Sequence, residues 1–190
     1  MGIILLLIVL VVLFVVVNFW LFVSKTFSPI PFYPTNAKDL RMIVDTLLSS
    51  TDNTNGIIVD LGAGTGTVIF AAAHETYRRK LNISFLAVEI HPLLVFIMNI
   101  RRLFHPYRKS ITITRADMFK YDFSRPQTHN SQLMTIYLYV GPFVMERLKK
   151  KLGRLPPKTT IISYMYAILG WERKLTGTKT NINPLYIYAL

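Results

Sequence analysis

The stretch Ile57-Ile58-Val59-Asp60-Leu61-Gly62-Ala63-Gly64-Thr65-Gly66 restricts this chain more than any other. An apolar, β-branched run ends on an acid and passes directly into three glycines at alternate positions. Helical periodicity follows over Thr67–Arg79. Glycines take positive φ without a Cβ penalty and let the backbone approach a ligand closely. A strand that stops at such a turn and feeds a helix is the opening unit of an α/β sheet, and these folds bind ligands just beyond the strand ends. The dinucleotide fingerprint spaces its glycines Gly-x-Gly-x-x-Gly. Here the spacing is tighter, and Asp60 closes the strand.

The flanking sequence continues the pattern. Asp39–Leu48 reads as an amphipathic helix with Leu40, Ile43, Val44, Leu47 and Leu48 on one face, and Ser49–Asn55 as a polar loop. Strands are expected at Gly56–Asp60, Ser84–Glu89, Ile111–Thr114, Leu133–Tyr139 and Thr160–Tyr166. Helices are expected at Pro92–Phe104 and Val144–Leu152, and Gln127–Gln132 reads as a polar surface loop. Such alternation predicts a Rossmann-like α/β fold, a mostly parallel sheet with helices on both faces.

The N-terminus is of another kind. From Ile3 to Val23 the one clearly polar residue is Asn18, and the first charge is Lys25. Twenty or so apolar residues in a helix span a bilayer core of roughly 30 Å. The run is too long for a signal-peptide core, with no basic segment before it and no small-x-small site after it. The domain expectation is a transmembrane anchor over 1–24, a Pro- and aromatic-rich connector over 25–36 and a catalytic domain over 37–190. Lys25, Lys38 and Arg41 follow the helix and nothing basic but the terminal amine precedes it. The positive-inside rule then puts the domain on the cytoplasmic side, or its organelle equivalent. Trp20 and Phe22 suit an interfacial anchor. The net charge of +12 asks for an anionic neighbour, nucleic acid or acidic lipid. Its basic residues lack the interleaved aromatics of a strand-stacking surface beyond Tyr77 and Tyr107, so lipid is the more economical partner and nucleic acid the unlikely one. Cysteine is absent, which excludes disulfides and thiolate-held zinc. The four histidines show no ligand spacing, so no metal is assigned.

Asp60 with the glycine run resembles motif I of the class I S-adenosylmethionine-dependent methyltransferases. The resemblance assigns Asp60, Gly62, Ala63, Gly64, Thr65 and Gly66 to the cofactor loop. It gives Glu89, at the end of the second strand, the ribose hydroxyls, since a carboxylate accepts two hydrogen bonds at once. Asp117 would meet the adenine amino group, with Met118 beside the ring. The order of Pro31-Phe32-Tyr33-Pro34-Thr35, Asp117-Met118-Phe119-Lys120-Tyr121-Asp122, Ile136-Tyr137-Leu138-Tyr139, Leu155-Pro156-Pro157 and Gly170-Trp171-Glu172 is similar to that of the small membrane-anchored protein-lysine methyltransferases. That family includes enzymes acting on the c-type ring protein of ATP synthase and on the adenine nucleotide translocase. Two departures stand out: Thr65 where the family often has an acid, and an aromatic fourth-strand end in place of the Asn/Asp-Pro-Pro-Tyr of base amino methylases.

A lysine acceptor has to be neutral, and a desolvated pocket beside a sulfonium lowers its pKa. Tyr137 and Tyr139, two apart on a strand, share a face and are the candidate catalytic residues. Tyr33, Pro34, Thr35 and Trp171 are candidates for the acceptor-pocket rim, while Met98, Met134 and Met145 are expected as core filler. Two other functions compete: methylation of a small or lipidic amphiphile, and cofactor or partner binding without catalysis.

Overall fold

The computed structural model describes residues 2–27, 33–122 and 134–190, without the side chains of 18–27. Residues 28–32 of the connector and the Gln127–Gln132 loop lie outside the described residues. The chain divides into two compact units, Met1–Tyr33 and Pro34–Leu190.

The first unit is helix α1, Gly2–Phe27, of 26 residues. It runs past the expected end at Val23 and takes in Lys25. Between Ile3 and Val17 every side chain is apolar and at least 47% exposed, so no polar face and no core accounts for them. In α1 the described side chains stop at Val17, and among the described residues no helix is long and apolar enough to cross a membrane.

The second unit is built on a seven-stranded sheet. Its parallel part comprises β1 (Gly56–Leu61), β2 (Ile83–Glu89), β3 (Ile111–Arg115), β4 (Met134–Leu138) and β5 (Thr160–Tyr164). An antiparallel hairpin of β6 (Leu175–Thr180) and β7 (Pro184–Ala189) completes it, in the order β3-β2-β1-β4-β5-β7-β6. β1 lies between β2 and β4, and all six of its residues are buried, which is why it reads as an unbroken apolar run and not an alternating one. The helices are α2 (Leu40–Ser49), α3 (Thr67–Arg78), α4 (Pro92–Leu103) and α5 (Pro142–Leu152). From β1 the chain steps outward through α3 to β2 and through α4 to β3; from β4 it steps the other way through α5 to β5. Right-handed crossovers therefore put α3 and α4 on one face and α5 on the other, with the topological switch between β1 and β4.

The core forms where the apolar stripes of α2 and α3 meet the sheet: Ile43, Leu47, Ile69 and Ala72 pack with Ile58, Phe85 and Ala87. Met98, Met134 and Met145 are buried, as their reading as filler requires. Two boundaries differ for local reasons. α5 starts at Pro142, directly after Gly141, because proline is favoured in the first helical turn. β5 stops at Tyr164 because Met165 takes φ +67° and turns out of the strand. The hairpin was not expected from the sequence. β6 is an edge strand with almost every residue exposed and a bulge between Leu175 and Gly177, so it needs no apolar alternation.

Candidate active site

At the carboxyl end of β1 the chain turns through Gly62, Gly64 and Gly66, at φ +83°, +58° and +75°. The turn is fixed by its own backbone: Gly62 and Ala63 donate to the Val88 carbonyl at 2.9 and 3.1 Å, and Gly66 donates to Ala63 at 2.8 Å. Gly64 N–H donates to Glu89 Oε2 at 2.8 Å, and His91 N–H to Glu89 Oε1 at 2.9 Å. The buried Glu89 thus ties the glycine loop to the turn that opens α4. Each of its oxygens uses one lone pair on the backbone and keeps another for a diol.

Asp117 and Met118 close the same region. Ala116 N–H donates to the Glu89 carbonyl at 3.0 Å, and Asp117 Oδ1 accepts from Phe119 N–H at 2.9 Å, a local side-chain turn. Met118 Cε lies 3.1 Å from where a Cβ on Gly62 would stand, so the side chain lies close over the turn, whose φ of +83° at Gly62 favours glycine. Lys151 of α5 reaches into this loop. Its ammonium donates to the carbonyls of Met118 and Phe119 at 3.1 and 3.2 Å, and also to that of Tyr121. Burial lowers its pKa, with Asp122 and Asp117 opposing.

Across the switch point, Asp60 and Tyr137 are register partners on adjacent parallel strands and share a face. Both are buried. Burial, reinforced by the charge of Glu89, pushes the Asp60 carboxyl up to about 8. Burial also pushes the Tyr137 phenol well above its usual value; Asp60 adds to this, while nearby Thr35 opposes it. Thr35 is thus close to Tyr137 without meeting hydrogen-bond geometry, and among the described residues the Tyr137 hydroxyl has no partner. Tyr139 follows β4, half-buried, with its ring edge-on to that of Tyr164 at 4.9 Å.

Tyr164 belongs to a network that sequence reasoning missed. Its hydroxyl donates to Asp39 Oδ2 at 2.6 Å and accepts from Asn183 Nδ2 at 2.8 Å. Asp39 also accepts from Ile182 N–H, Asn183 N–H and Asn183 Nδ2, at 2.8, 3.1 and 2.8 Å. Burial raises the Asp39 pKa, but the hydrogen bonds from Tyr164, Ile182 and Asn183 outweigh it and hold it at about 2. Burial and the bond to Asp39 raise Tyr164 to about 12. Asp39, expected as the first residue of the helix, directly precedes α2 and makes no side-chain capping bond to it. Nothing local in the sequence pairs it with a residue 144 positions later.

The candidates therefore divide. Asp60, the glycine loop, Glu89, Asp117 and Met118 gather around the ends of β1, β2 and β3. Tyr137, Tyr139 and Thr35 gather beside them at β4. Pro34 is exposed in the segment before α2, and Tyr33 is part of the N-terminal unit. Trp171 does not join: it is buried against Tyr188 near Gly153, beyond the far end of α5. Two acids, Asp60 and Glu89, share this dry space, and the charge of Glu89 disfavours ionisation of Asp60. That arrangement fits a cationic ligand carrying a vicinal diol, as S-adenosylmethionine does.

A family model described as the ANTKMT methyltransferase domain matches residues 60–175. A protein-lysine N-methyltransferase of Saccharolobus islandicus is 30% identical over 165 residues, 85% of this chain and 94% of the relative. A Xenopus laevis lysine N-methyltransferase, named for the c-type ring protein of ATP synthase, is 24% identical over 75% of this chain and 56% of its own length. Among solved structures, an RNA methyltransferase of Salinibacter ruber in complex with S-adenosyl-L-homocysteine superposes with a TM-score of 0.66 at 22% identity, covering 83% of this chain and 93% of that one.

Proposed function

Because the chain belongs to the family of the ANTKMT methyltransferase domain, and is an S-adenosylmethionine-dependent methyltransferase, we propose that it N-methylates a lysine side chain of a membrane or membrane-associated protein. The observation that carries the reading is the meeting, across the β1–β4 switch, of the Asp60–Glu89 acid pair with the aromatic cluster of Tyr137, Tyr139 and Tyr164. Bound S-adenosylmethionine supplies a methyl carbon on a positively charged sulfur. The chain's residues do the rest. Glu89 takes the ribose hydroxyls, the glycine loop receives the amino-acid end, and Asp117 with Met118 receives the adenine. Tyr137 and Tyr139 line the way for the incoming amine: desolvation there keeps the amine neutral, and ring faces and the Tyr137 hydroxyl orient its lone pair. Saccharolobus and animal relatives named for lysine N-methylation support the acceptor class.

The anchor is part of the proposal. At about 1.5 Å per residue the 26-residue helix is roughly 39 Å long, a length that supports a spanning reading, although its described side chains, which stop at Val17, are too few for a span by themselves. Confinement to one bilayer raises the effective concentration of a membrane target, and the basic residues that follow the apolar run, Lys25, Lys38 and Arg41, support a catalytic unit on the cytoplasmic or equivalent side. The test is incubation of full-length protein with isotopically labelled cofactor and native membranes, followed by mass spectrometry. Label on a lysine of a membrane protein is the expected result. Label confined to lipid or small amphiphiles overturns the acceptor assignment.

A further inference from the structure

α4 inverts the usual distribution of a surface helix. Met98 is its one fully buried residue. Leu93, Phe96, Ile100 and Leu103, with Phe104 just after the helix, are 38%, 60%, 42%, 60% and 85% exposed. At roughly 100° per residue these five positions fall within an arc of about 100°. The outward face is therefore a continuous apolar stripe, while α2 and α3 turn theirs to the core. Soluble domains seldom leave such a stripe open unless something covers it.

The charge around it indicates what covers it. From Ile90 to Ala116 the chain has no acidic residue and five basic ones, Arg101, Arg102, Arg108, Lys109 and Arg115. Arg101 is pinned at the edge of the stripe by its hydrogen bond to the Thr65 carbonyl at 2.5 Å and its stacking 4.6 Å over the Phe70 ring. Arg108 is held at the stripe's end by a 3.2 Å bond to the Leu103 carbonyl, and exposed Lys109 follows. Phenylalanine and leucine on one face with fixed cations along its border is the composition of a helix lying in a membrane interface. A helix needs no matching groove to enter lipid, as it would to enter a protein partner, and uncompensated positive charge favours a surface whose headgroups are negative.

We infer that the outward face of α4, continued through Phe104, docks in the headgroup region of an anionic bilayer. This deepens the membrane part of the proposed function but does not require α1 to span.

The absence of cysteine makes the test direct. Phe96→Cys, Phe104→Cys and, as a control on β6, Thr178→Cys each carry an environment-sensitive dye in full-length protein. The protein is incorporated into vesicles of phosphatidylcholine with or without phosphatidylglycerol, containing shallow nitroxide lipids as quenchers. Flotation with the vesicles reports on the anchor; quenching reports on α4, so the two can fail separately. The expected result is strong quenching at 96 and 104 in anionic vesicles, little at 178, and loss of the difference at high salt. Each charge near such a surface is worth about fivefold in partitioning, so Arg108→Glu with Lys109→Glu should lower the docked fraction at least roughly tenfold. Quenching at 96 and 104 no greater than at 178, or equal in neutral and anionic vesicles, overturns the inference. So does a dye response that requires an added membrane protein. Ile100→Cys repeats the measurement should either labelled phenylalanine position fail to give folded protein.

Discussion

Glu89 holds the glycine loop, since its Oε2 accepts the Gly64 N–H at 2.8 Å. The acid proposed for the ribose is thus also the clasp of the loop proposed for the amino-acid end. The two halves of the cofactor site are coupled through one carboxylate, and its other oxygen is fixed by His91 N–H.

That coupling separates two substitutions. Glu89→Ala removes the diol acceptor and strands two N–H groups, so it should weaken S-adenosylmethionine binding by roughly a hundredfold and cost about 1–3 kcal/mol of stability. Gly64→Val puts a β-branched residue at φ +58° and should also abolish binding, with a strain cost of about 1–3 kcal/mol. Calorimetric titration and thermal melts measure both. Unchanged affinity in the two variants would remove the loop assignment.

Asp60 gives the free enzyme a pH signature. Its folded pKa of about 8 lies above the ordinary value of 3.8, so the folded state binds the extra proton between those values. Its contribution to stability is complete below about 4 and is lost as pH rises through about 8. A cationic ligand favours the carboxylate, so binding in that window should release a proton. Titrations in buffers of different ionisation enthalpy should show net release near neutral pH, and Asp60→Asn should abolish most of it. An absence of proton release in the parent protein would place the ligand's charge away from Asp60.

Much of the candidate site was legible in the sequence because the part around the glycine loop is local. Asp60 through Gly66 is one continuous strand and turn, and Glu89 and Asp117 each close a strand that the apolar pattern marks. The network behind Tyr139 is not local. Asp39 falls in the Asp39–Leu48 helix pattern and Tyr164 in the Thr160–Tyr166 strand pattern, Asn183 in neither, and only the fold brings them together. Lys151 likewise looks like one of three solvated lysines until α5 is seen to point it at the carbonyls of Met118 and Phe119. Trp171 misled for the converse reason: a large aromatic near the end of the chain fits a pocket rim by order alone, and here it covers the hairpin. The hairpin was hidden because an edge strand carries little hydrophobic signal.

The Asp39 network predicts acid sensitivity of a different sign. Its folded pKa of about 2 lies below the ordinary value of 3.8, so its stabilisation is present above about pH 4 and lost as pH falls toward about 2. Asp39→Ala strands the donors of Tyr164, Ile182 and Asn183 and should cost about 3 kcal/mol or more, flattening the acid limb of the stability profile. Tyr164→Phe leaves Asp39 with its other donors and should cost less, about 1–2 kcal/mol. Chemical denaturation from about pH 2.5 to about pH 6, on the order of half-unit steps, distinguishes these slopes.

Tyr137 separates stability from turnover. Its hydroxyl is buried and has no partner among the described residues, so in the free enzyme it is a desolvated polar group with nothing in return. Tyr137→Phe removes that group while keeping the ring that packs beside Asp60. The variant should be as stable as the parent or more stable, by about 0–1 kcal/mol. If the hydroxyl orients the acceptor amine, the same change should lower kcat by roughly ten- to a hundredfold with cofactor affinity nearly unchanged. Tyr137→Ala, in contrast, opens a cavity and should lose about 3–5 kcal/mol as well as activity. Tyr139 is half-buried and rests edge-on against Tyr164, so Tyr139→Phe should keep turnover and Tyr139→Ala should lose it through acceptor alignment. Thermal melts paired with single-turnover methylation of a lysine peptide separate the two effects. Normal turnover in Tyr137→Phe would make the hydroxyl a packing defect that the fold tolerates, and would leave orientation of the amine to the ring faces alone.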